Sequence, residues 1–237
     1  MTDPAAVAAL VAAREHVLAT IAEACVRVGR DPSGVTLVAV SKNVPAERLV
    51  AAVAAGLTIL GENRVQEAEG KVDVVEGATW HLIGPLQANK ARRALAAFAV
   101  IQSVASIELA ERLDRLAHEV RPDERVPVLL QVNVDRDPAK AGFDPLSVAG
   151  VLPRIEGLDH LDIRGLMTVG RLAQRPEEAR STFRGLRQLS EALRAPRPGG
   201  LGTELSMGMS DDYPIAIEEG ATIVRVGRAL FGERPGP

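Results

Sequence analysis

From residue 35 onward, short β-rich runs alternate with segments whose apolar residues recur at helical spacing. The runs fall at 35–40, 58–60, 79–83, 100–104, 128–134, 163–167, 204–207 and 223–226 and predict eight strands. Several are apolar at consecutive rather than alternate positions, which suits a parallel sheet covered on both faces. Between them, three stripes predict helices: Leu49, Val50 and Val53 ahead of Gly56; Leu109, Leu113, Leu116 and Val120 behind a Ser106 cap; and Ala179, Phe183, Leu186 and Leu193. A longer helix precedes the first strand. Thr2-Asp3-Pro4 offers a capping hydroxyl and a first-turn proline, Val7, Leu10, Val11, Leu18, Ile21, Cys25 and Val28 form its stripe, and Gly29 ends it.

Strands and helices in this alternation predict an α/β fold, a single (β/α)8 TIM-type barrel over residues 1–237, with a doubly wound open sheet as the main rival. After Phe231 only GERPGP follows, too short for an outer helix behind the last strand. The helix within residues 1–30 is therefore expected to pack on the barrel in that gap. The proline- and glycine-rich stretch 194–201 lies inside the repeat and separates no domains.

Composition removes several classes of partner. A formal net charge of -3 and an aromatic content of 3% give nucleic acid neither a cationic surface nor rings to stack on. Cys25 is the one cysteine and has no disulfide partner within the chain, which fits a reducing cytoplasm, and its place on the apolar stripe makes it a core residue. The N-terminus lacks a basic leader, and no uninterrupted apolar run approaches the ~20 residues of a membrane span. The expectation is a soluble cytoplasmic protein that engages no membrane.

In parallel barrels the reactive residues gather at the C-terminal ends of the strands. The chain places there Ser41-Lys42-Asn43, Gly61-Glu62-Asn63-Arg64, His81 with Gly84-Pro85-Leu86-Gln87, the run Ser206 to Asp212, and Arg225-Val226-Gly227-Arg228. Lysine is scarce, with only Lys42, Lys71, Lys90 and Lys140, and arginine carries the remaining positive charge. A lysine kept at a strand end offers a deprotonatable amine that arginine cannot. By position alone Lys42 reads equally well as a solvated lysine at a loop start. Lys71, Lys90 and Lys140 read as surface charges, with Lys90 and Lys140 near enough to line the rim.

The turns after strands seven and eight, Ser206 to Ser210 and Gly227-Arg228, carry the small residues and hydroxyls from which barrels build phosphate sites. Gly208 and Gly227 also read as ordinary turn glycines. Asp211 and Asp212 are expected to cap the helix that runs into Ile215 and Ile217. Gly208-Met209-Ser210-Asp211-Asp212 lacks the second glycine of a hydrolase elbow. His16, His81, His118 and His160 have no metal-ligand spacing, and no metal site is expected. Gly199-Gly200-Leu201-Gly202 precedes a strand and fits no dinucleotide fingerprint.

At these residues the sequence resembles the single-domain pyridoxal-phosphate homeostasis proteins, relatives of the alanine racemase N-terminal domain. The matching pieces are VAVSK ending at Lys42, GENRVQEA from Gly61, WHLIGPLQANK from Trp80, AKAGF from Ala139, RGLMTV from Arg164 and LSMGMSDDYPIAIEEGATIVRVGRALFG from Leu205. The resemblance implies bound pyridoxal 5′-phosphate with a Schiff base (internal aldimine) on Lys42. It also implies phosphate contacts from Ser206, Ser210 and the Gly227-Arg228 backbone, Arg225 near the pyridine nitrogen, and Asn63, His81 and Met207 around the ring. The sequence departs from the family pattern at Asn43, where many relatives carry threonine, and at Arg228, where a small polar residue is common. The second change keeps a backbone N–H for phosphate and removes a hydroxyl.

Three functions stay open at this point. The first is a non-catalytic holder that stores or delivers the cofactor, with apo forms of pyridoxal-phosphate enzymes as recipients and a monomer as the expected state. Its effects on amino-acid and keto-acid balance would be indirect. The second is a weak racemase or lyase using Lys42 as base. The third is a sugar-phosphate barrel enzyme without cofactor. Two points favour the holder: the arginine that the resemblance places beside the ring nitrogen would supply no useful proton, and the second base that racemases of this type take as a tyrosine from another domain is lacking in a chain whose one tyrosine is Tyr213.

Overall fold

The structure, a computed structural model, describes residues 3–170, 175–197 and 199–232. Eight parallel strands close into a barrel in sequence order: β1 (Thr36–Val40), β2 (Ile59–Glu62), β3 (Thr79–Leu82), β4 (Val100–Val104), β5 (Val126–Gln131), β6 (Leu161–Met167), β7 (Glu204–Ser206) and β8 (Ile223–Val226). Closure is made by β8 pairing with β1, with Thr36 opposite Ile223 and Ala39 opposite Val226. That pairing excludes the open sheet. The helices are α1 (Pro4–Arg27), α2 (Ala46–Ala54), α3 (Val65–Val72), α4 (Ala91–Ala97), α5 (Ile107–Val120), α6 (Val148–Glu156), α7 (Arg180–Arg194), α8 (Tyr213–Glu218) and the single turn α9 (Arg228–Phe231).

Both faces of each strand are covered, so the apolar residues divide into two groups. Val38 and Val40 of β1 meet Ile83, Leu129, Met167 and Ile223 inside the barrel. The intervening residues, such as Ala39, Leu60, Leu82 and Leu205, pack outward with Leu49, Leu113, Phe183 and Leu186 of the helices. This division explains why the strands read as continuous apolar runs. Four outer helices, α3, α4, α6 and α8, are only 6 to 9 residues long and leave no extended stripe in the sequence.

Helix α1 packs against α2, α8 and α9 and so fills the outer position behind β8. Its cap is the Asp3 carboxylate, which accepts from the Ala5 N–H at 3.0 Å; the expected Thr2 hydroxyl lies outside the described residues, as do residues 233–237. Leu10, Val17, Ile21, Ala24 and Cys25 are buried, while Ala5, Ala8, Ala12 and Ala19 face outward. These alanines give α1 a mean hydropathy of 1.5 over 18 residues, enough by length and composition to pass as a membrane span. Polar ties fasten it to the barrel instead: Arg27 pairs with Glu218 at 2.7 Å, and Arg30, just beyond the helix, donates to the carbonyls of Ile217 and Ala221.

Two glycines let backbone segments approach where a side chain cannot fit. A Cβ on Gly165 would lie 2.0 Å from the Glu204 carbonyl oxygen, and its φ of +154 is itself unfavourable for other residues. A Cβ on Gly84 would lie 2.4 Å from the Asn63 carbonyl oxygen, at the barrel mouth. Gly165→Ala is expected to destabilise the fold by more than ~1 kcal/mol by forcing β6 away from β7. Urea unfolding measures this, and an unchanged midpoint would show that the two strands separate without cost.

Candidate cofactor site at the barrel mouth

A cavity of about 470 Å3 opens at the C-terminal ends of the strands. Its volume lies within the range of small-molecule sites. Lys42, two residues beyond the end of β1, lines it and is half-buried. Asn63, Ser210, Arg225, Gly227 and Arg228 line it too, so six of the nine sequence-predicted residues share one cavity wall. Lys140 also reaches the cavity, as the rim reading allows. Its Nζ donates to the carbonyls of Gly170 and Val169 at 2.8 and 3.3 Å.

One end of the cavity gathers backbone N–H groups around a serine hydroxyl. The Gly227 and Arg228 N–H groups both donate to Ser210 Oγ at 3.1 Å. Two adjacent backbone donors and a hydroxyl thus converge on one point, with the Arg228 guanidinium beside them in an ion pair with Asp211. Asp212 does not cap α8 with its side chain as expected. Its carboxylate turns back to accept from the Met209 N–H at 2.6 Å and so closes the Ser210 turn. Burial pushes the Asp212 carboxyl up, against the opposing pull of that N–H and of Arg225.

Arg225 is buried. Its Nη2 donates to the Thr168 carbonyl at 2.8 Å and its Nη1 to Ser206 Oγ at 2.6 Å. Burial lowers its pKa to about 10, and Asp212 opposes that fall. The chain of contacts continues inward. Ser206 Oγ meets Gln102 Oε1 at 2.6 Å, and Gln102 Nε2 meets His81 Nδ1 at 2.8 Å. Because arginine can only donate, the Ser206 hydroxyl accepts from it and passes its own proton to Gln102 Oε1. The Gln102 amide then donates to His81 Nδ1, which must be unprotonated, so the neutral ring carries its proton on Nε2. Burial, with a smaller contribution from Arg164, holds the His81 pKa down at about 4.

His81 and Ser206 therefore act beneath the cavity rather than in its wall. Ser206 accepts from Arg225 and donates to Gln102, and it does not line the cavity with Ser210, Gly227 and Arg228, the residues beside which the sequence reading put it. Met207 is further away. It is fully buried in the layer between sheet and helices, because successive strand residues face opposite ways and Ser206 takes the inward position. Lys71 overturns its surface reading: its ammonium is buried between Glu62 and Glu67. Sequence reasoning also passed over Gln102, whose one trace was an amide in the apolar strand β4.

The fold and mouth together define a closed parallel barrel whose Lys42 side chain and Ser210, Gly227 and Arg228 turns line one cavity. The model of the "Alanine racemase, N-terminal domain" family matches residues 5–235. A pyridoxal phosphate homeostasis protein of Pseudomonas aeruginosa is 42% identical over 222 residues, 92% of this chain and 93% of that one. The solved structure of PipY from Synechococcus elongatus with PLP bound has a TM-score of 0.79 and 44% identity, covering 90% of this chain and 100% of that one. An alanine racemase of Clostridium difficile shares the fold, with a TM-score of 0.71 at 15% identity, and this chain covers 56% of it. The chain belongs to the pyridoxal phosphate homeostasis protein family.

His81 provides a pH test of the buried chain. In the unfolded protein the ring takes a proton near pH 6.5, and in the folded protein only near pH 4. Its contribution to stability is thus complete above pH 6.5 and is lost as pH falls toward 4, by an amount on the order of 3 kcal/mol. Urea unfolding from pH 7 to pH 4 is expected to show a smaller loss in His81→Asn than in the parent. Equal losses in the two proteins would mean that His81 titrates normally.

Proposed function

We propose that this protein binds pyridoxal 5′-phosphate through Lys42 and holds it for delivery to apo forms of pyridoxal-phosphate enzymes. It acts in the cytoplasm as a monomer, without turnover of its own. The observation that carries the reading is one cavity with the Lys42 amine in its wall and the Gly227 and Arg228 N–H groups with Ser210 at its anion end. The residues present fit the group. The cofactor supplies an aldehyde for an amine, a phosphate for a cluster of donors and a ring nitrogen for a hydrogen bond. Lys42, the Ser210 turn and Arg225 meet these needs in turn.

The protein side favours holding over catalysis. Arg225 remains charged at neutral pH and is a donor only, so it gives the ring nitrogen a hydrogen bond and no proton. Two-base proton transfer needs a second acid–base group across the substrate from the lysine. Tyr213 is buried in the packing between sheet and helices and lies outside the cavity wall, so it does not face Lys42.

Borohydride reduction of the protein saturated with pyridoxal 5′-phosphate, followed by peptide mapping, is expected to label the peptide holding Ser41-Lys42-Asn43. Label confined to Lys140 would assign the amine wrongly. In deuterated water, L-amino acids are expected to exchange their Cα hydrogen slowly or not at all; rapid exchange with turnover would make the protein a racemase or lyase.

A further inference from the structure

A buried cluster of hydrogen-bonded charges lies outside the cavity wall, against the turn that carries Lys42. The Lys71 side chain is 10% exposed and reaches from α3 to the end of β1. Its ammonium has three N–H groups and three acceptors: Glu62 Oε1 at 2.7 Å, Glu67 Oε1 at 2.8 Å and the Ser41 carbonyl at 3.0 Å. Each carboxylate then holds a second group of the same turn. Glu62 Oε1 accepts from the Ser41 hydroxyl at 2.8 Å, and Glu67 Oε1 accepts from the Asn43 N–H at 2.5 Å.

The Ser41 carbonyl belongs to the peptide unit entering Lys42, and the Asn43 N–H belongs to the one leaving it. Two peptide planes meet at a Cα, so fixing both fixes the direction of its Cβ. Asn43 follows with φ +60, a left-handed conformation that asparagine tolerates and a β-branched residue resists. The network is not explained by stability alone. Glu62 is buried, its Oε2 has no hydrogen-bond partner, and buried ion pairs often contribute less than apolar packing of the same volume.

We infer that Lys71, Glu62 and Glu67 form a clamp on the two peptide groups flanking Lys42, making them positioning residues that aim its amine into the cavity. The clamp touches neither the anion turn nor Arg225. It therefore governs the bond to an aldehyde and leaves phosphate and ring recognition alone. The inference rests on Lys42 being the cofactor lysine.

Two ligands separate these effects: pyridoxal 5′-phosphate, and pyridoxamine 5′-phosphate, which keeps the ring and phosphate and lacks the aldehyde. In Lys71→Met, affinity for the first is expected to fall at least about tenfold and borohydride labelling of Lys42 to slow, with affinity for the second unchanged. Glu67→Leu tests the same clamp at a partly exposed site should Lys71→Met fail to fold by circular dichroism, and Glu67→Gln, which keeps the acceptor, is expected to restore most of the loss. Equal losses for the two ligands, or none, with Lys42 labelled in the parent, would overturn the clamp alone. No label on Lys42 in the parent would overturn the reading of the lysine and the clamp with it.

Discussion

Closing eight parallel strands leaves an interior of fixed width that side chains must fill, and this constraint shapes everything else in the molecule. Part of it is filled by Val38, Leu129, Ile223 and their apolar neighbours. Another part is filled by Arg225, Ser206, Gln102 and His81, joined in one line of hydrogen bonds. A buried guanidinium is tolerable only when its donors are satisfied, and here Thr168, Ser206 and the nearby Asp212 carboxylate supply that surrounding. The polar line therefore makes it possible for a charged group to form part of the cavity wall inside an apolar barrel.

That line also has a direction. It begins at a group that can only donate and ends at a ring nitrogen that must accept. This line of groups offers hydrogen bonds of fixed polarity. The Lys42 side is organised by different means, through the ammonium of Lys71 and the two carboxylates that share it. The mouth is thus supported by two separate polar networks, one inside the barrel beneath Arg225 and one outside it beneath Lys42. Neither includes Tyr213, which packs with the outer core.

Much of this could be read along the chain. Period and spacing located all eight strands to within a few residues, because strands covered on both faces are rich in apolar residues. The place of α1 followed from the missing helix behind β8. Lys42, Asn63, Ser210, Arg225, Gly227 and Arg228 were legible because strand ends in such a barrel face one mouth. Other residues lie away from where the sequence reading placed them, because a side chain's direction is set by the fold. Met207 and Ser206 are adjacent and face opposite sides of the sheet. Glu67 and Lys71 have the spacing of a surface pair on a helix, and only the docking of α3 against β1 turns that pair inward.

By itself, then, the sequence determined the alternation of strands and helices and the residues at the strand ends, since both depend on local periodicity and order along the chain. Only the tertiary structure decided which polar side chains are neighbours. Gln102 meets Ser206 across 104 positions, and Lys71 meets Ser41 across 30. Such meetings depend on barrel register and helix docking, which arise from packing over the whole fold and are not written in the local sequence around either partner.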